Sequence, residues 1–280
     1  MEFASVGISF CLGRFRAKNA DNSAGKHGVM NGRIDIMQMK PWDALPEALR
    51  TEEVRLYYDL LKKRTASLLL KRGMDILASL LLLLLLFPVF LVLAIAIKAD
   101  SKGPVFFRQV RVTQFGRTFR IFKFRTMVSD AEKKGSQVTV QNDCRVTRVG
   151  AKIRHVRLDE IPQLLNVLTG DMSFVGTRPE VPRYVERYTP EMMATLLLPA
   201  GVTSTASIEF KDEDKLLQAA ENADEVYVQE VLPQKMAYNL AYLRRFSFGR
   251  DIGILFQTVF RVFGSGRGKV DKGSNREIGS

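Results

Sequence analysis

Cysteine and histidine are scarce in this sequence of 280 residues, which contains two of each. Cys11 and Cys144 lie far apart and form no Cys-x-x-Cys motif, so neither a disulfide framework nor a zinc site is indicated. With only His27 and His155 available, histidine metal sites and Ser-His-Asp arrangements are also disfavoured. The low cysteine content fits a reducing environment, and a nucleophile is expected to be a carboxylate.

Negative charge is in deficit, because 42 Lys and Arg residues face 30 Asp and Glu residues and give a net charge of +12. A chain this basic calls for an acidic partner, and nucleic acid, anionic lipid and a phosphorylated substrate all qualify. The basic residues are accompanied by no recognised nucleic-acid-binding motif. A nucleic-acid partner therefore ranks lowest of the three.

One long segment lacks charge altogether, from residue 76 to residue 97. As a helix it would be roughly 30 Å long, which is enough to span a bilayer. Both flanks are basic, so the positive-inside rule gives no orientation and permits both ends to stay on the cytoplasmic face. Pro88 removes one helical hydrogen bond, and the residues alone leave a kinked spanning helix and a re-entrant hairpin equally open.

The composition and periodicity divide the chain into six parts. Residues 44–66 carry an apolar stripe that suits either the membrane surface or packing against the domain. The expected parts are a disordered tail over 1–43, an amphipathic helix over 44–66, a membrane helix over 67–100 broken at Pro88, a cytoplasmic domain over 101–215, a helical region over 216–263 and a disordered tail over 264–280.

Two strands are expected after the membrane segment, over 105–112 and 118–124, joined by a turn that contains Gly116. The hairpin is rich in arginine and lysine, and each of these could simply be solvated. Together they form a surface that attracts phosphate. Lys123 and Arg125 are the side chains in it that we expect to bind substrate phosphates.

Two further apolar segments are candidates for helices at the membrane interface. The segment 192–198 lies between Pro190 and Pro199 and is interpreted as an interface helix in preference to core. The segment 236–263 alternates apolar residues with arginines and suits anionic lipid or domain packing equally well.

Asp159 and Glu160 are adjacent acids beside Arg154 and Arg157. Taken locally, the pair is most simply an exposed helix start, where acids interact favourably with the helix dipole. Five blocks change that interpretation, because in this order they resemble the bacterial sugar transferase family, the monotopic polyprenyl-phosphate phosphoglycosyl transferases. The blocks are residues 71–75 (KRGMD), 101–109 (SKGPVFFRQ), 123–127 (KFRTM), 158–163 (LDEIPQ) and 170–173 (GDMS).

The resemblance implies an α+β fold, mainly helical and monotopic, with a re-entrant membrane helix hairpin, a small β-hairpin and interface helices. It implies transfer of a sugar 1-phosphate from a UDP-sugar to undecaprenyl phosphate with release of UMP. Asp159 would be the nucleophile that carries a phosphosugar, and Glu160 would help to hold Mg²⁺ with Asp159. Arg154 would brace the hairpin or bind substrate, Arg178 would bind substrate, and Pro88 would mark the membrane break.

The same resemblance implies a place at the cytoplasmic face of a bacterial inner membrane, with anionic lipid and downstream glycosyltransferases as neighbours. Departures from the family pattern at Thr177, Ser204 and Asn239 lie downstream of the acid pair. They bear on sugar and nucleotide specificity more than on phosphoryl transfer. The alternative is a noncatalytic, membrane-tethered scaffold that binds a nucleotide sugar.

Overall fold

The computed structural model describes residues 39–128, 145–210 and 222–264. The predictions that concern Cys11, His27, Cys144 and most of the two terminal tails lie outside these residues. Within them the protein is mainly helical and has two small two-stranded sheets, which is compatible with the predicted α+β class.

The helix expected over residues 44–66 is shorter than predicted and occupies Glu52–Lys62 (α1). Two 3-10 turns, Trp42–Ala44 and Glu47–Leu49, precede it, and a proline comes directly before each turn. Thr51 begins α1 by accepting a hydrogen bond from the Val54 amide on its hydroxyl (3.4 Å). Helix α1 buries its apolar stripe in the core of the protein: Val54, Tyr57, Tyr58 and Leu61.

The apolar segment forms a single helix, Thr65–Asp100 (α2), with Pro88 inside it. Among the described residues this is the one helix long and apolar enough to cross a membrane. Its 36 residues correspond to about 54 Å. The leucines of its middle part are exposed, whereas its two ends are buried against the rest of the protein. Helical structure continues through Pro88, so the predicted break is not an interruption of the helix.

The predicted β-hairpin is confirmed. Strands Phe106–Val112 (β1) and Thr118–Phe124 (β2) pair antiparallel, with Phe107 opposite Lys123. Gly116 adopts a φ of 74° in the connecting turn, a conformation that glycine reaches without steric cost.

After the hairpin, the described chain resumes with two short helices that carry the acid pair between them. Arg148–His155 (α3) is followed by a 3-10 turn, Leu158–Glu160, and then by Gln163–Thr169 (α4). Next comes Met172–Val175 (β3), which pairs in parallel with Ala200–Thr203 (β4). The connection between these strands contains a short helix, Pro182–Val185 (α5), and a 3-10 helix, Met192–Leu197.

The interface role predicted for residues 192–198 is wrong. Ala194 and Leu197 are fully buried, and the segment belongs to the main hydrophobic core together with Tyr57 and Leu61 of α1. The physical reason is that α1 covers the segment, so protein rather than lipid removes its apolar surface from water.

The C-terminal part is helical, as predicted, and it packs against the N-terminal part of α2, where Lys71 contacts Asp251. Near the end of this part, Phe256, Val259 and Phe260 are exposed. The elements of this part are Thr205–Glu209 (α6), Ala223–Val226 (α7), a π-helical turn over Tyr227–Val231, Leu232–Arg244 (α8) and Phe248–Gly264 (α9).

Candidate active site

The acid pair lies on a tight turn and is not an exposed helix start. Thr147 begins α3 by accepting the Gly150 amide on its hydroxyl (3.0 Å), and α3 ends at His155. Arg157 then takes a φ of 54°, an uncommon conformation for a residue with a side chain. This reversal starts the 3-10 turn that contains Asp159 and Glu160, and from this turn Glu160 reaches Lys123 of the hairpin.

Glu160 is held between two cations. Its Oε1 accepts hydrogen bonds from Lys123 Nζ and from Arg178 Nη2, each at 2.8 Å, while Arg157 Nη1 lies 4.0 Å from Oε2. Only 14% of the side chain is exposed. Burial alone would raise the pKa of Glu160, but the charges of Arg178 and Lys123 hold that pKa well below its usual value. Glu160 is therefore ionised throughout the physiological pH range.

Asp159 differs from its neighbour in environment and charge balance. It is half-buried, and burial raises the pKa of its carboxyl, with Glu160 adding to the increase. The charges of Lys123 and Arg154 act in the opposite direction. Two adjacent acids thus have pKa shifts of opposite sign, an arrangement typical of carboxylates with different chemical roles.

Lys123 is carried to the acids by strand β2. Its ammonium is mostly buried, and burial lowers the pKa of Lys123 against the opposing effect of Glu160. Asn166 of α4 fixes the strand beside the turn, because it accepts the Phe122 amide (2.8 Å) and donates to the Arg120 carbonyl (3.2 Å). These hydrogen bonds between the Asn166 side chain and the backbone of β2 help to set the position of Lys123 relative to Glu160.

Arg178 comes from the segment between β3 and α5, and this segment is held in place by contacts that the sequence did not predict. Arg111 Nη1 donates to the Pro179 carbonyl (3.0 Å), and the Val112 amide donates to the Glu180 carbonyl (2.9 Å). The Glu180 carboxylate is buried and accepts a hydrogen bond from the Tyr227 hydroxyl. The only sequence signal for this support was an acid directly after Arg178-Pro179.

Two other predicted substrate residues lie apart from Glu160. Arg125 is buried and donates to Ser101, where α2 ends. Arg154 lies in the last turn of α3 and acts on Asp159 through its charge. Asn239 is buried in α8, where its amide contacts the sulfur of Met236 at 3.7 Å.

The donor set fits Mg²⁺ held by few protein ligands. Within the described ranges, no cluster of three or more His, Cys, Asp and Glu side chains forms a complete cage. Mg²⁺ typically binds one or two carboxylates and keeps substrate oxygens and waters. Lys123 and Arg178 occupy Oε1 of Glu160, which leaves Oε2 and the Asp159 carboxylate as the oxygen donors that suit the ion.

Comparison with known proteins identifies similar sequences. The family model described as bacterial sugar transferase matches residues 66–265. The UDP-N-acetylgalactosamine-undecaprenyl-phosphate N-acetylgalactosaminephosphotransferase of Aeromonas hydrophila is 38% identical over 193 residues, which are 68% of this chain and 43% of that protein. The UDP-glucose:undecaprenyl-phosphate glucose-1-phosphate transferase of Klebsiella pneumoniae is 39% identical over 202 residues, 70% of this chain and 41% of that protein.

A shorter relative matches nearly end to end. The exopolysaccharide production protein PSS of Rhizobium leguminosarum bv. phaseoli is 36% identical over 208 residues, which are 72% of this chain and 98% of that protein. The chain therefore spans about two-fifths of the length of the two longer relatives and almost all of the shorter one.

Proposed function

Because the chain belongs to the bacterial sugar transferase family, we propose that it transfers a sugar 1-phosphate from a UDP-sugar to undecaprenyl phosphate and thereby initiates glycan assembly. The names of the relatives from Aeromonas and Klebsiella specify a UDP-sugar and undecaprenyl phosphate, in agreement with these substrate classes. The protein would then be a phosphoglycosyl transferase that acts at a membrane surface.

The arrangement that supports this activity best is the turn that carries Asp159 beside Glu160, with Glu160 fixed by Lys123 and Arg178. A carboxylate can attack a phosphate without a base, provided that cations neutralise the repelling charge. Lys123 and Arg178 provide that positive charge on the hairpin side of the turn.

In the first step, an Asp159 carboxylate oxygen attacks the phosphorus that bears the sugar. The bond from this phosphorus to the bridging oxygen breaks, and UMP leaves with the electron pair. The product is an aspartyl phosphosugar on Asp159. Lys123 and Arg178 bind the diphosphate oxygens and stabilise the charge that develops on them. When bound at Glu160 and Asp159, Mg²⁺ would add further charge neutralisation.

In the second step, an oxygen of the lipid phosphate attacks the same phosphorus. The bond between that phosphorus and the Asp159 oxygen breaks, which restores the carboxylate and gives a lipid diphosphosugar. No proton acceptor is needed if both attacking oxygens are already ionised. The pKa of Asp159 is raised by burial, so the rate should fall in acid as this carboxyl is protonated.

We also propose that α2 enters and leaves the membrane on one face. Near its start, Arg72 donates to the carbonyls of Val167 (2.7 Å) and Leu168 (2.9 Å) at the end of α4. At its other end, Asp100 accepts the Val149 amide (2.8 Å) at the start of α3. Both ends of α2 therefore contact the same charged segment, residues 149–168, which carries the acid pair and cannot cross hydrocarbon. This arrangement favours a bend in α2 near Pro88 over a straight span.

Cysteine labelling tests this topology. Single cysteines at Lys63 and Lys102, in a chain whose Cys11 and Cys144 are changed to serine, should react with an impermeant maleimide from the same side of sealed vesicles. Labelling from opposite sides would establish a spanning helix.

The proposal includes a location and neighbours. The catalytic domain would lie on the cytoplasmic face of a bacterial inner membrane, where UDP-sugars are available. Anionic lipid would contact the basic flanks, and downstream glycosyltransferases would extend the product.

The covalent step can be tested on the purified full chain with Mg²⁺ and a panel of UDP-sugars. We expect UMP release and an intact-mass increase of one phosphosugar, both absent in Asp159→Asn and retained in Asp59→Asn, an exposed control on α1. Binding of a UDP-sugar without an adduct or UMP release would instead favour the noncatalytic scaffold.

A further inference from the structure

Arg125 is an arginine whose guanidinium is buried and, within the described residues, forms no ion pair with an acid. Only 5% of the residue is exposed, and its Nη2 donates to the Ser101 carbonyl (2.7 Å) and hydroxyl (2.8 Å). Its Nε and Nη1 are buried and have no hydrogen-bond partner within the part of the chain that the structure describes. Arginine stays protonated in proteins, so this buried group carries a positive charge that no acid of the described ranges pairs with.

An unpaired buried cation is costly, and such groups normally have an anion beside them. The described residues provide no ion pair to Arg125, although they provide partners for Lys71, Lys123 and Arg178. The N–H groups of these two nitrogens would suit the oxygens of a phosphate, which accepts strong charge-assisted hydrogen bonds from guanidinium groups.

The location of Arg125 connects the reacting acids with the membrane helix. The Arg125 amide donates to the Val105 carbonyl (2.9 Å), so the ladder of β2 continues for one more residue. Side chains two residues apart leave the same face of a strand, roughly 7 Å apart, which places Arg125 next to Lys123. On the other side it contacts Ser101, the residue that ends α2.

The surroundings also suit a lipid chain. Phe124, between Lys123 and Arg125, packs on the end of α2 in a cluster with Phe90 and Ile97. The exposed apolar face of α2 continues from this cluster through Leu91 and Ile95. A molecule with a phosphate at Arg125 could therefore lay a hydrocarbon chain along the membrane helix.

We propose that Arg125 anchors the phosphate monoester of the lipid acceptor at a subsite distinct from that of the UDP-sugar diphosphate, which Lys123 and Arg178 bind. This assignment rests on the proposed function. The acceptor phosphate takes over the hydrogen bond that the Ser101 hydroxyl receives, and it binds one of the N–H groups that are without a partner in the described residues. It then lies two residues along the strand from Lys123 and within reach of the phosphosugar on Asp159.

Separate measurement of the two half-reactions tests the assignment in Arg125→Gln and Arg125→Lys. The matched control is Arg120→Gln, which alters an exposed arginine on β2. Adduct formation from the UDP-sugar alone should stay within about threefold of wild type, and transfer from the adduct to undecaprenyl phosphate should slow roughly 10- to 100-fold in Arg125→Gln. Arg125→Lys should recover part of the loss, and an equal fall of both steps would show a structural role and overturn the assignment.

Hydrogen exchange in the wild-type chain provides a readout that needs neither turnover nor a folded variant. Farnesyl phosphate should protect the backbone at 101–105 and 123–126, and UDP should protect 157–160 and 176–179. Farnesol and inorganic phosphate separate the contributions of the chain and the headgroup. Protection only at the UDP segments, or equal protection by phosphatidylglycerol vesicles, would overturn acceptor binding at Arg125. Absence of an adduct in wild type would count against the proposed function, whereas this exchange pattern would still decide the role of Arg125.

Discussion

At the residue scale, the opposite pKa shifts of Glu160 and Asp159 predict opposite effects of pH on stability. The pKa of Glu160 is lower in the folded chain than its unfolded value of about 4.3, so folding releases a proton in the window below that value. Its contribution should be complete above about pH 5 and lost as the pH falls further. The thermal unfolding temperature measured in detergent should fall more steeply between pH 5 and pH 3 for wild type than for Glu160→Gln.

For Asp159→Asn we expect the opposite effect on stability. Because burial raises the pKa of Asp159 in the folded state, its ionised form is destabilising above the unfolded pKa of about 3.9. The asparagine variant should therefore unfold at a higher temperature than wild type at neutral pH, although it is inactive. A lower unfolding temperature for Asp159→Asn would contradict the environment described for this carboxyl.

Local motifs predicted residues that the structure brings together, but they predicted the contacts of these residues only in part. Lys123, Glu160 and Arg178 were each expected at the site, and the structure places them in direct contact. Arg125 was expected to bind substrate phosphate with Lys123, but the sequence did not predict its hydrogen bonds to Ser101, which form because the ends of β2 and α2 meet there. The sequence cannot show such a contact, since it depends on the packing of residues that are distant along the chain.

At the element scale, the position of α3 depends on a close backbone contact at Gly150. A Cβ there would lie 2.1 Å from the Thr126 carbonyl oxygen, the same atom that accepts the Thr147 amide. Gly150→Ala should push α3 away from the end of β2 and move the turn that carries the acids. We expect the rate of UMP release to fall about 100-fold, as displacements near 1 Å can cause.

Gly253→Ala is the matched control in α9, where a Cβ would meet no atom within 4 Å. It should leave activity unchanged and stabilise the helix by about 0.5–1 kcal/mol, because alanine is the better helix former. Wild-type activity in Gly150→Ala would mean that the contact with Thr126 does not position the acids.

Hydropathy identified apolar elements but could not tell what covers them. Residues 192–198 were interpreted as facing lipid, yet α1 buries them in the core. The apolar stripe of 44–66 left membrane and protein packing open, and the structure resolves it in favour of packing. In both cases the apolar surface is removed from water, and the sequence does not record whether lipid or protein removes it.

At the scale of the whole molecule, the membrane helix is joined to the C-terminal helices by buried polar contacts. Lys71 Nζ donates to Asp251 Oδ2 and to the Val175 carbonyl, each at 2.6 Å, and the Tyr242 hydroxyl donates to Asp251 Oδ1 at 2.7 Å. Lys71 belongs to a recognised sequence block, but Asp251 lies 180 residues further along the chain and carried no signal. The sequence of α9 was interpreted from its arginines and apolar residues, and Asp251, the acid that joins α9 to α2, was not singled out.

Removal of either member of the Lys71–Asp251 pair should destabilise the protein strongly, because both side chains are fully buried. Lys71→Met leaves a buried carboxylate and Asp251→Asn leaves a buried ammonium, and we expect each to cost about 3–5 kcal/mol. The double variant should recover part of the loss, since it removes the unpaired charge that each single variant leaves at this pair. The exposed Arg55–Asp59 pair on α1 is the control, and Arg55→Gln should cost less than about 0.5 kcal/mol. Denaturant unfolding in detergent measures these differences in the free energy of unfolding. If Lys71→Met is as stable as Arg55→Gln, the buried pair does not hold the membrane helix to the domain.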